Sequence, residues 1–117
     1  MNIEHIAINV ADPTAVANWY AKHMGLRIIR ADTDGNRIHF LADDEGRTLL
    51  EFYANGLGEF LQAGPWTFHI AFNVSEIAPD CERLTAAGCT PATDIITFEN
   101  GDQTQFMKDP FGLHIQL

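Results

Sequence analysis

Polar and apolar residues alternate from Ile3 to Val10, and the β-branched content of that stretch predicts a strand. Asp12-Pro13 follows, an N-cap residue ahead of a proline at the first helical position. A helix is predicted over Thr14 to Met24, with Gly25 as its stop. Strands are predicted over Leu26 to Ala31, Arg37 to Ala42 and Thr48 to Tyr53, separated by the polar turns 32–36 and 43–46. The same order of elements then starts again. Thr67 to Val74 predicts a strand, and Ser75 predicts the cap of a helix from Glu76 to Ala87 that ends at Gly88. Strands over Ala92 to Phe98, Gln103 to Lys108 and Leu113 to Leu117 complete the second series, with turns at 99–102 and 109–112.

The recurrence extends to the letters. His5-Ile6-Ala7-Ile8-Asn9-Val10 returns as His69-Ile70-Ala71-Phe72-Asn73-Val74, identical at five of six positions. Gly35, Phe40, Asp43 and Gly46 return 66 residues later as Gly101, Phe106, Asp109 and Gly112. An α+β fold of two tandem βαβββ modules is predicted, the first over residues 1–53 and the second over 66–117. Residues 54–65 join them as a linker with Gly56, Gly58 and Gly64 as its flexible points. Halves of about fifty residues are too small to be stable apart, so 1–117 reads as a single domain.

Side chains two apart in a strand share a face. His5, Ala7 and Asn9 therefore share one face, and Ile6, Ile8 and Val10 the other, apolar one. The second copy sets Thr67, His69, Ala71 and Asn73 opposite Phe68, Ile70, Phe72 and Val74. In the last strand of each module Glu51 and Gln116 hold equivalent positions, and His114 shares the face of Gln116. Glu51 lies between Leu50 and Phe52, and burying a carboxylate without a partner costs roughly several kcal/mol. A bound cation is one natural partner. Trp19, Tyr20, Phe40 and Phe106 read as core. His39 and His114 read as cavity-lining or surface residues, and Arg27, Arg30, Arg37 and Arg47 as solvated surface.

A formal charge of −9 runs against binding nucleic acid or an anionic lipid surface. No apolar run approaches the roughly eighteen residues of a membrane span. The N-terminus lacks the basic and apolar regions of a signal peptide, and the two cysteines, Cys81 and Cys89, read as reduced thiols. A cytoplasmic location is the expectation.

The chain resembles the vicinal-oxygen-chelate superfamily, which includes glyoxalase I, methylmalonyl-CoA epimerase, extradiol dioxygenases and the fosfomycin and bleomycin resistance proteins. The resemblance is carried by His5-Ile6-Ala7, Trp19-Tyr20 with Gly25-Leu26, and Leu50-Glu51-Phe52. It continues in His69-Ile70-Ala71 and in Phe106-Met107-Lys108-Asp109-Pro110-Phe111-Gly112. It implies curved sheets around a cavity holding a divalent metal, with ligands on the first and fourth strands of each module. Here those positions are His5, Glu51, His69 and Gln116. Imidazole and carboxylate donors suit Ni, Zn, Mn, Co or Fe. A homodimer and a small-molecule substrate are implied, with no partner on nucleic acid or membrane.

The resemblance further implies a glyoxalase-like lyase or isomerase acting on a small carbonyl-containing substrate. Many members carry Glu at the position of Gln116, and a glutamine cannot accept the proton. Glu51 is then the catalytic carboxylate. Two alternatives stand beside this reading: an Fe(II) extradiol-type dioxygenase using His5, His69 and Glu51, and a metal-free, bleomycin-resistance-like binding protein.

Overall fold

A four-stranded sheet forms the first unit of the computed structural model, which describes residues 1–56 and 63–117. Its elements are β1 (Ile6–Asn9), α1 (Pro13–Met24), β2 (Arg27–Ala31), β3 (His39–Ala42) and β4 (Thr48–Tyr53), and the strands lie in the order β1-β4-β3-β2. β1 runs parallel to β4, because α1 carries the chain back before β2 begins; the other neighbours are antiparallel. Helix α1 starts where Asp12 Oδ1 accepts the Ala15 N–H at 3.2 Å, and stops at Gly25, whose left-handed φ of 72° a side chain would disfavour. Between those caps Pro13, Val16, Ala17 and Tyr20 form the buried stripe. Tyr20 meets Phe52 with ring centroids 5.3 Å apart, and Ile8, Leu41 and Leu50 fill the same core.

The second unit repeats this plan with shorter strands. Its elements are β5 (Ile70–Ala71), α2 (Ile77–Ala86), β6 (Thr90–Pro91), β7 (Ile96–Thr97), β8 (Gln103–Thr104), β9 (Phe106–Lys108) and β10 (His114–Gln116). The four-stranded order β5-β10-β9-β6 matches that of the first unit strand for strand, and β5 is again parallel to β10. Leu84, Met107, Leu113 and Ile115 form its fully buried centre. The division into units falls between Leu61 and Gln62. Of the expected linker, residues 57–62 lie outside the described residues.

The α+β class predicted from the repeat is the class observed, with small, curved, open sheets. Several element bounds differ, each for a local reason. The strand expected over Thr67 to Val74 is reduced to Ile70–Ala71, since the Thr67 and Phe68 N–H groups both turn back to the Gly64 carbonyl at 2.9 and 3.2 Å. The strand expected over Ala92 to Phe98 divides. The β6–β9 pairing runs on to Ala92, whose N–H reaches the Phe106 carbonyl at 2.8 Å, and ends where Thr93 Oγ1 takes the Phe106 N–H at 3.1 Å. β7 pairs with β8 in a separate two-stranded hairpin. Gln103 to Lys108 divides at Gln105: β8 pairs with β7, whereas Gln105 exchanges backbone hydrogen bonds with Leu117 at 3.2 and 3.0 Å in line with the β9–β10 ladder. Ser75 does not cap α2; Glu76 holds that position in an extended conformation without a side-chain cap.

The repeat is visible down to single hydrogen bonds. Asp43 accepts the Arg47 N–H at 2.8 Å, and Asp109 accepts the Leu113 N–H at 2.8 Å, each four residues on. Gly46 and Gly112 close the two turns with φ of 80° and 98°. Among the described residues, no helix is long and apolar enough to cross a membrane.

Candidate functional site

Strand register places the candidate residues of the first unit on one sheet face. Ala7 pairs with Glu51, Glu51 with Phe40, and Phe40 with Arg30, so these side chains form a row across four strands. His5, two residues before Ala7, joins that face from the end of β1. Its Nε2 lies 2.9 Å from Glu51 Oε2, with side chains 29% and 14% exposed respectively. Its Nδ1 meets the Glu4 carboxylate. The imidazole stands edge-on to Phe40, centroids 5.1 Å apart and planes at 89°. Arg30 covers the same ring at 5.7 Å. Asp32 holds that guanidinium through two hydrogen bonds of 3.0 and 2.6 Å, which lower the Asp32 pKa and raise that of Arg30.

The second unit builds the corresponding row. Ala71 pairs with Gln116, and Gln116 with Phe106. His69 stands edge-on to Phe106 at 5.0 Å and 79°, and Trp66 packs on the same ring at 4.7 Å. His69 Nδ1 lies 2.8 Å from the Pro65 carbonyl. A carbonyl only accepts, so Nδ1 donates to it, and Nε2 is the nitrogen that the neutral ring has left as a donor to a cation. Gln116 Nε2 donates to Thr104 Oγ1 at 2.9 Å, and the Gln116 side chain lines a pocket of about 950 Å³ with Ala71, Asn73 and Thr104.

Of the four predicted ligands, the structure brings His5 and Glu51 into direct contact within the first unit. It places His69 and Gln116 on one face of the second, without a contact between them. Among the described residues, no group of three or more His, Cys, Asp and Glu forms a metal cage. The donor atoms nevertheless suit a divalent cation. Ligand bonds of about 2.1 Å at a right angle put neighbouring donor atoms about 3.0 Å apart. The His5–Glu51 separation of 2.9 Å is that of a hydrogen-bonded ion pair and is equally compatible with that spacing. Among the described residues nothing is bonded to His69 Nε2, and the Gln116 amide is anchored through its nitrogen. Cys81 and Cys89 are free and buried; burial raises both pKa values, that of Cys89 to about 11, so they stay thiols and poor ligands at neutral pH.

Other expectations require correction. Tyr20 and Phe106 are buried core residues as expected, but Phe40 is only half-buried, and both phenylalanines also serve as edge-on rests for the site histidines. Arg30 is exposed, yet it lies over the Phe40 ring beside the site. His39 is neither cavity-lining nor at the surface; it pairs with Phe52 on the buried face and its Nδ1 donates to the Arg37 carbonyl. His114 shares the Gln116 face, opposite Lys108. Sequence reading missed Thr104 and Trp66. The recurrence of Phe40 as Phe106 signalled the aromatic rests, whereas nothing in the repeat marked Thr104, because Ile38 stands at the equivalent point.

A family model for the Glyoxalase/Bleomycin resistance protein/Dioxygenase superfamily matches residues 2–117, and the chain belongs to that superfamily. Solved structures share its fold. A glyoxalase-related enzyme from Fulvimarina pelagi is 22% identical with a TM-score of 0.74, covering 99% of this chain and 86% of its own. A lactoylglutathione lyase from Agrobacterium tumefaciens is 18% identical with a TM-score of 0.68, covering 98% and 90%. A glyoxalase I variant from Zea mays is 19% identical with a TM-score of 0.75, covering 97% of this chain and 44% of that longer one. No curated protein matches the chain.

Proposed function

We propose that this chain is a metal-dependent, glyoxalase-like lyase or isomerase acting on a small carbonyl-containing substrate. His5, Glu51, His69 and Gln116 serve as metal donors, and Glu51 moves the proton. The observation that carries the reading is the contact between Glu51 Oε2 and His5 Nε2 at 2.9 Å, at a position of the repeat where the second unit has the Gln116 amide. A divalent cation, whether Ni, Zn, Mn, Co or Fe, would supply Lewis-acid polarisation of the substrate carbonyl. The rest of the chemistry falls to the chain. Glu51 has two oxygens, so one can face His5 while the other takes a proton from carbon and returns it to the neighbouring atom. Gln116 holds a donor oxygen but has no usable proton affinity. Phe40 and Phe106 keep both imidazoles edge-on, which limits ring rotation.

The working form in this reading is a cytoplasmic homodimer. Its support is the edge position of β1 with Ile3 and Ile6 exposed at 83% and 48%, together with the two free cysteines. A second reading, a metal-free binding protein for a cationic or apolar small molecule, is supported by the −9 charge and by Trp66, 74% exposed while packed on Phe106. Dioxygenase chemistry would draw on His5, His69 and Glu51 and is separated by assaying catechols with Fe(II) under oxygen.

Elemental analysis of protein purified without chelator, followed by calorimetric titration with Ni²⁺, Mn²⁺, Fe²⁺ and Zn²⁺, decides between these. Bound metal is expected. Its absence together with no uptake from any titration would leave the binding-protein reading. Given metal, Glu51→Gln is expected to lower proton transfer by about 10²–10⁴-fold. Full activity with metal still bound would remove Glu51 as base.

A further inference from the structure

We propose that Thr104 is a positioning residue which fixes the Gln116 amide so that its oxygen, not its nitrogen, is offered to a cation. The inference rests on the reading of Gln116 as a metal donor and adds what makes that possible. An amide has two unlike ends of almost equal size, and which end faces a site is set by the hydrogen-bond network around it.

The network here leaves one solution. Thr104 Oγ1 lies 2.8 Å from the Leu117 oxygen, a distance two oxygens hold only with a proton between them. The Leu117 oxygen has no proton, so the hydroxyl proton is spent there. Thr104 Oγ1 can then only accept, and the end of Gln116 that lies 2.9 Å away must be its NH₂. Thr104 is 5% exposed, so solvent does not offer the hydroxyl a competing partner. Gln116 Oε1 accepts no hydrogen bond among the described residues, and its side chain lines the pocket of the second unit, where that oxygen can coordinate.

The two units differ in a way that fits this role. At the position equivalent to Thr104 the first unit has Ile38, which offers no hydroxyl. Glu51 needs none: its two oxygens are alike, and either end of the carboxylate presents the same atom. The unit that carries the amide is the one that also carries a hydroxyl to orient it.

The test uses the whole chain and Ni²⁺ alone as probe. Thr104→Val keeps the volume and removes the hydroxyl; Thr104→Ser restores it. In the unaltered protein and in Thr104→Ser, the Gln116 side-chain NH₂ resonances are expected to be resolved and protected from solvent exchange. In Thr104→Val they are expected to average and exchange freely. Ni²⁺ affinity is expected to fall about 10–100-fold in Thr104→Val and to recover in Thr104→Ser. Unprotected Gln116 NH₂ resonances in the unaltered protein would overturn the proposal, even if Thr104→Val did not fold. Equal Ni²⁺ affinity in Thr104→Val and the unaltered protein, with His5→Ala weakened, would overturn the role of Thr104 and leave the metal site standing. No Ni²⁺ binding by the unaltered protein would overturn both.

Discussion

Asp43 and Asp109 stand at the same point of two equivalent turns, yet they carry different loads. Asp109 is buried, and its Oδ1 accepts the N–H groups of both Phe111 and Leu113 at 2.9 and 2.8 Å. Asp109→Ala leaves two N–H groups without an acceptor where water does not replace it, and about 2–4 kcal/mol of stability should be lost on denaturant titration. Asp43 accepts backbone N–H groups of Arg47 and Glu45 and the Arg47 guanidinium, but it is solvent-accessible and water can take its place in part, so Asp43→Ala should cost less. Its pH signature is the sharper one. Desolvation pushes the Asp43 carboxyl up, but the Arg47 N–H and guanidinium outweigh it, and the pKa lies below the ordinary 3.8. Asp32 is lowered as well, chiefly by its hydrogen bonds to Arg30. A depressed folded value means the contribution is complete above pH of about 3.8 and disappears as pH falls through the folded value. Melting temperature should therefore drop on acidification below about pH 4, and Asp43→Asn should flatten that limb.

The glycines that end the two helices are not equivalent, and the difference tests how each helix is stopped. Gly25 sits at φ of 72° with nothing within 4 Å of where a Cβ would stand. Gly88 sits at φ of 99°, and a Cβ there would come 3.1 Å from Pro110 Cγ. Gly25→Ala should cost about 1–2 kcal/mol, the left-handed backbone cost alone. Gly88→Ala should cost more, because Pro110 must also shift; equal losses in paired denaturation curves would mean that the contact relaxes freely. Both stops were legible in the sequence, as were α1 and β4, since these depend on caps, periodicity and turn residues close in sequence. The breaks in the second unit were not. They arise where Thr93 Oγ1 takes the Phe106 N–H and ends the β6 ladder just after Ala92, and where Thr104 pairs with β7 while Gln105 turns to Leu117, partners that lie apart in sequence. Thr104 was hidden for the same reason: its importance comes from Leu117 and Gln116, and the repeat offers no counterpart.

The duplication that was so plain in the letters has produced two units of unequal completeness. In the first, strands of four, five, four and six residues back a helix whose Val16, Ala17 and Tyr20 are at most 1% exposed. In the second, the four-stranded sheet is made of strands two, two, three and three residues long, and only Cys81 and Leu84 of α2 are buried. Short strands contribute few ladder bonds against the entropy of ordering each residue, about 1–2 kcal/mol per residue for the backbone. A chain of about fifty-five residues leaves little margin for that deficit. Expressed alone, residues 63–117 should therefore give a coil-like circular dichroism spectrum, while residues 1–56 should keep measurable helix and a cooperative, low-temperature melt. A well-folded 63–117 fragment would show that its core of Leu84, Met107, Leu113 and Ile115 is sufficient, and that short strands are no measure of independence.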